Sequence, residues 1–155
     1  MQLRLAELPD AESITALINT AFRHAEGFLM ERDRIDRDTV EALLQTGKFL
    51  LAEDRAVLLG CVFVETRSER ADLGLLSLDP CRQSAGLGSF LMNAAEDYCA
   101  QAGCCFMDLQ IINLRHELPA FYHRLGYAET GTAPLTSGLE PKLPCHFVKM
   151  SKPLT

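Results

Sequence analysis

The residues with the clearest chemical grammar are Gln83-Ser84-Ala85-Gly86-Leu87-Gly88. An apolar run from Leu73 to Leu78 stops at Asp79-Pro80, the glycine-bearing loop follows, and a helix-forming segment opens at once with Ser89-Phe90-Leu91-Met92. Small residues let a backbone come close to an anion, and the free N–H groups of a helix N-terminus point at it. Such an arrangement holds a phosphate. A nucleoside triphosphate loop would need a lysine after its last glycine, and none follows Gly86 or Gly88. A dinucleotide fingerprint would need a third glycine where Leu91 stands, and Asp108, the acid about the right distance on, falls mid-strand instead of at a strand end.

Other reactive types are fewer. Tyr122 sits in the stripe Leu118, Phe121, Tyr122, Leu125, spaced i, i+3, i+4, i+7. It is either a helix anchor or a titratable hydroxyl in an apolar setting. The six cysteines form no C-x-x-C pair, so neither a zinc site nor a thioredoxin motif is indicated. Cys61, Cys99 and Cys105 read as small apolar core residues, with Cys104 facing the other way from Cys105. Net charge −6 argues against a nucleic-acid partner, which would meet a basic face. The 155 residues fit one domain, with 48% hydrophobic and 23% charged residues. No leader and no run long enough to span a membrane is read, so a cytoplasmic location is expected.

The elements that must position these residues follow from periodicity. Residues 2–8 alternate as a strand, and Asp10 caps a helix carrying Ile14, Leu17, Ile18, Ala21 and Phe22 on one face to about His24. Residues 26–37 are a charged loop or loose helix able to cover a site. Asp38-Thr39 cap a short helix closed by Gly47. Three strands, Phe49–Ala52, Val57–Thr66 and Ala71–Leu78, are joined by polar turns and so pair antiparallel. The helix after the glycine loop, with Leu91, Ala94, Ala95 and Tyr98 inward, ends at Gly103. It leads to the strand Cys105–Ile112, a crossover that makes this strand parallel to 71–78. Pro119 opens the helix bearing Tyr122, and strands near 127–132 and 146–151 close the chain. The order β-α-α-β-β-β-α-β-α-β-β is an α+β fold with a mixed, mostly antiparallel sheet and helices on both faces.

Gln83 to Gly88 has the form Q/R-x-x-G-x-G/A, which resembles the coenzyme A pyrophosphate loop of the GNAT superfamily of N-acetyltransferases. The element order resembles that fold along nearly the whole chain. Asn113 with Phe121-Tyr122-His123-Arg124-Leu125-Gly126-Tyr127 is similar to the superfamily's closing motif, an asparagine after the fifth strand and then F-Y-x-x-x-G-F/Y. Two positions depart from the pattern: Ser84 stands where many members have glycine, and no acid lies on the Leu73–Leu78 strand.

The resemblance implies one N-acetyltransferase domain over residues 1–155. It would move an acetyl group from acetyl-CoA to a primary amine of a small molecule or peptide by direct transfer, without metal or membrane, as monomer or homodimer. A non-catalytic acyl-CoA sensor is the alternative. Backbone N–H groups of Gln83, Ser84, Ala85, Gly86, Leu87, Gly88 and Ser89 would hold the pyrophosphate, with Arg82 adding charge. Main-chain groups of Leu76 and Leu78 would pair with the pantetheine arm, that of Leu78 also polarising the thioester carbonyl. Asn113 would hydrogen-bond the pantetheine, and Tyr122 would protonate the departing thiolate. For the base that takes the amine proton, Glu65 and His146 are the candidates.

Overall fold

The computed structural model describes residues 1–30, 32–81, 86–135 and 139–154. Its strands are β1 (Gln2–Leu5), β2 (Lys48–Asp54), β3 (Val57–Arg67), β4 (Arg70–Leu78), β5 (Phe106–Ile112), β6 (Ala128–Ala133) and β7 (Phe147–Pro153). Its helices are α1 (Ala11–Glu26), α2 (Arg37–Thr46), α3 (Leu87–Gln101) and α4 (Leu118–Arg124). The seven strands form one sheet in the order β1-β2-β3-β4-β5-β7-β6. Among the described strands only β4 and β5 pair parallel. The expected element order and mixed sheet are therefore present.

Alternation along the strands splits the interior in two. On one face Leu50, Val62, Val64, Ala71, Leu73, Met107, Leu109 and Ile111 pack under α3 and α4, through Leu87, Leu91, Met92, Ala95 and Tyr122. On the other, Phe49, Leu51, Cys61 and Phe63 pack under Ile14, Leu17 and Ile18 of α1 and Val40 of α2.

Several boundaries move for identifiable reasons. The first strand ends at Leu5, because Leu8-Pro9-Asp10 forms a 3-10 turn. Asp10 makes no cap bond to α1; its carboxylate accepts Arg4 at 2.7 and 2.8 Å and the Glu7 N–H at 2.8 Å. Asp36, not Asp38, caps α2 by accepting the Thr39 N–H at 2.8 Å. α1 runs on to Glu26. Cys104 is buried and Cys105 exposed, the reverse of the expected pair, because β5 begins only at Phe106 and Cys104 closes the loop onto the core.

Candidate active site

The site begins with a missing ladder. β4 and β5 pair at Arg70↔Phe106, Ala71↔Met107 and Asp72↔Asp108, and no further. The cause lies on the other side of β4. Phe63 faces Gly74, but Cys61 faces Ser77, so Leu75 and Leu76 share the place opposite Val62. This is a bulge, with Leu75 at φ 56, a left-handed conformation uncommon for a branched side chain. The Ser77 hydroxyl, 1% exposed, donates to the Leu75 carbonyl at 3.0 Å and ties the bulge off. Bulges bend and twist a strand, and here the bend carries β4 away from β5.

The extra residue also shifts phase. Ala71 and Leu73 face the α3 core, and after the bulge Leu76 and Leu78 do so, while Leu75 joins the α1 and α2 core. Past the bulge, the Asp79 N–H donates to the Leu59 carbonyl at 2.9 Å. Antiparallel alternation then turns the polar groups of Ser77 toward β3 and those of Leu76 and Leu78 toward the gap. The doubled apolar pair Leu75-Leu76, which breaks an otherwise regular alternation, is the signal that sequence reading passed over.

The gap opens into a cavity of about 1120 Å³ lined by Leu76, Leu78, Gly86, Gly88, Ser89 and Tyr122 among others. At one end α3 starts behind Gly86, whose φ of 92° favours glycine. The N–H groups of Leu87, Gly88 and Ser89 precede the first intrahelical bond and carry the positive end of the helix dipole. A Cβ on Gly88 would lie 3.2 Å from the Phe121 Cζ, so glycine there lets α3 and α4 close on each other. The Leu87 side chain is sunk in the core at 1% exposure, leaving only its backbone for a ligand. Arg82, Gln83, Ser84 and Ala85 lie outside the described residues.

Tyr122, on α4, lines the cavity and is 5% exposed, with its ring edge-on to Phe121 and Tyr127 at 5.0 and 5.8 Å. Its hydroxyl makes no hydrogen bond to any described residue. Burial pushes its pKa up to about 12, with the Arg115 charge pulling the other way. Arg115 donates to Glu26 at 2.7 Å and to Glu117 at 2.9 Å. Glu26, 4% exposed, was not singled out from the sequence. It continues the Ile18, Phe22 stripe at i+4 steps and places an acid at a helix C-terminus, where the dipole disfavours one. That conflict marks a buried acid with a dedicated partner.

The other expected site residues fall elsewhere. The Asn113 Oδ1 accepts the His146 N–H at 2.9 Å, and its backbone N–H donates to the His146 carbonyl at 3.0 Å. Asn113 thereby pins the end of β5 to the start of β7 and does not line the cavity. The Glu65 Oε1 accepts the Thr46 hydroxyl at 3.1 Å on the outer surface, and His146 is exposed. Neither candidate base lines the cavity. Among the described residues no cluster of His, Cys, Asp or Glu could hold a metal, and no helix is long and apolar enough to cross a membrane.

Known proteins resemble this arrangement in sequence and in shape. Over 122 residues the chain is 31% identical to mycothiol acetyltransferase of Clavibacter sepedonicus, a match covering 77% of this chain and 40% of that protein. The chain thus spans well under half of that relative's length. Salmonella typhimurium yncA, solved with its cofactor acetyl-CoA, superposes at a TM-score of 0.77 with 23% identity, covering 100% of this chain and 94% of that one. A ribosomal-protein-alanine N-acetyltransferase from Brucella melitensis superposes at 0.80 with 16% identity, covering 99% of each chain. These two likenesses speak for the fold. The family model for the acetyltransferase (GNAT) family matches residues 11–127, from the start of α1 through α4, and so takes in the split strands, the glycine turn and Tyr122. This chain belongs to the acetyltransferase (GNAT) family.

Proposed function

We propose that this chain acts as one N-acetyltransferase domain that moves an acetyl group from acetyl-CoA directly to a primary amine. The observation that carries this reading is the interrupted β4–β5 ladder, which leaves the Leu76 and Leu78 backbone groups facing a gap instead of a strand. Such groups are satisfied by a slim ligand that pairs as a strand would. The acetyl-CoA bound by the Salmonella relative, which shares the fold, supports that choice of ligand.

The residues present fit it. The N–H groups of Leu87, Gly88 and Ser89 at the head of α3 suit a pyrophosphate, and the Leu76 and Leu78 main chain suits an amide-bearing arm. The co-substrate supplies an activated thioester. The Leu78 N–H would polarise its carbonyl, a kind of donor worth on the order of 10²–10³ in rate. The Tyr122 hydroxyl, kept protonated by burial, holds the proton that a departing thiolate needs. Both β4 and the α4 end of the cavity thus serve one reaction centre. The described cysteines are all free, and a cytoplasmic location goes with this reading.

The test is free-thiol release from acetyl-CoA across an amine panel, followed by two-substrate kinetics. Intersecting double-reciprocal lines are expected for direct transfer. Parallel lines would refute it, and tight CoA binding with no thiol release from any amine would favour a sensor.

A further inference from the structure

On the side of the cavity formed by the connection between α1 and α2 stands a cation that pairs with none of the described residues. Arg34, on the connection between α1 and α2, lines the main cavity and a second one of about 350 Å³. Both cavities share Phe22, Glu26, Met30, Arg34 and Leu139, so this guanidinium stands at the neck between them. Its Cζ lies 5.5 Å from the centre of the Phe22 ring, a cation–π contact.

Arg115 and, Arg34 aside, the described basic side chains that line the second cavity are engaged. Arg23 pairs with Asp33 at 2.5 Å, Arg32 with Glu140 at 3.6 Å, and Arg115 with both Glu26 and Glu117. Lys142 donates to the Gly27 carbonyl at 3.3 Å. Arg34 makes no hydrogen bond and no ion pair with any described residue. Burial works against its charge, and among the described residues the Glu26 carboxylate works for it. A half-buried guanidinium facing two cavities without a described partner is open to an anion, and its planar fork matches a carboxylate at two points.

We propose that the acceptor is an amine that also carries a carboxylate, an amino acid with an apolar side chain in its simplest form, and that Arg34 holds that carboxylate. This rests on the acetyl-transfer reading above. The rest of the neck agrees with such a molecule. Glu26 gives its Oε2 to Arg115 and lines both cavities, so a carboxylate stands at the neck beside the guanidinium to meet an ammonium group. Met30 and Leu139 supply an apolar wall for a side chain. A polycationic acceptor would instead bring its charges against Arg34 and Arg115.

The experiment compares leucine, methionine and phenylalanine, each beside its carboxamide, as acceptors with acetyl-CoA, reading free thiol. The wild-type protein should prefer the acids in kcat/KM by roughly 10- to 100-fold, the range for a charge-assisted bidentate pair. Arg34→Ala should bring each acid and its amide within about threefold, mostly through KM, and Arg34→Lys should keep part of the preference. CoA binding by calorimetry reports that each variant is folded. Amides matching or exceeding the acids in the wild type, or an unchanged preference in Arg34→Ala, would overturn the inference and leave acetyl transfer standing. CoA binding with no thiol release from any amine would overturn both.

Discussion

Replacing Tyr122 with phenylalanine separates chemistry from packing. The hydroxyl hydrogen-bonds none of the described residues, while the ring packs edge-on against Phe121 and Tyr127. Phenylalanine keeps the ring and breaks no bond, so the stability change should stay within about 0.5 kcal/mol, or about 1–2 °C in Tm. The rate should fall by roughly 10²–10⁴, the usual cost of losing a general acid, equivalent to about 2.7–5.4 kcal/mol of barrier. Burial raises the hydroxyl pKa to about 12, so in the wild type this acid stays protonated through neutral and mildly alkaline solution. Its loss should bring no alkaline limb below that value. The assay is initial-rate thiol release with acetyl-CoA and a good amine, beside thermal unfolding of the same preparations. A Tyr122→Phe protein that turns over within about threefold of wild type, or that loses several degrees of stability, refutes the acid role.

Two further outcomes follow from the polar pairs. Tyr127→Phe is the mirror experiment: the Tyr127 hydroxyl donates to buried Glu96 at 2.9 Å, beside Lys152 at 2.7 Å. Losing it should cost about 1–3 kcal/mol in denaturant unfolding, with kcat falling far less than for Tyr122→Phe. Asp108 accepts two bonds from Arg70 at 2.7 Å, which hold its carboxyl below the usual carboxylate range. A carboxylate with a lowered folded pKa contributes stability above its unfolded value near about 3.9 and loses it as pH falls through the folded value. Unfolding free energy measured downward from about pH 5 should therefore drop, and Arg70→Met should flatten that slope.

Much of the fold could be read from periodicity, because long amphipathic stretches such as Ile14 to Phe22 and Leu91 to Tyr98 admit one arrangement each. Cap positions were less legible. Asp10, Asp36 and Asp38 are all competent caps, but Arg4 claims Asp10 for itself and Asp36 takes the Thr39 N–H, and neither choice is visible in periodicity. Motif spacing singled out the glycine turn and Tyr122, and Gly86, Gly88 and Tyr122 line one cavity. Arg115 and Glu117 could be read from the sequence as flanking the cleft or as a local ion pair, which they form at 2.9 Å; Glu26 and Arg34 could not, since their meaning comes from contacts such as Arg115 with Glu26 across 89 residues of chain. Asn113 shows the opposite limit: a motif position whose side-chain oxygen the structure assigns to the His146 backbone.

The Leu75–Leu76 bulge has a consequence for how this protein avoids itself. A sheet that stops pairing halfway along two neighbouring strands has created two bare edges, and bare edges recruit other chains. Here both edges lie inside the sheet, facing each other and joined at Asp72 and Asp108. A strand from another protein, with side chains on both faces, would have to thread between them. Only a slim chain can enter, so one inserted residue gives the fold an adhesive edge that is shielded from aggregation by its own partner strand.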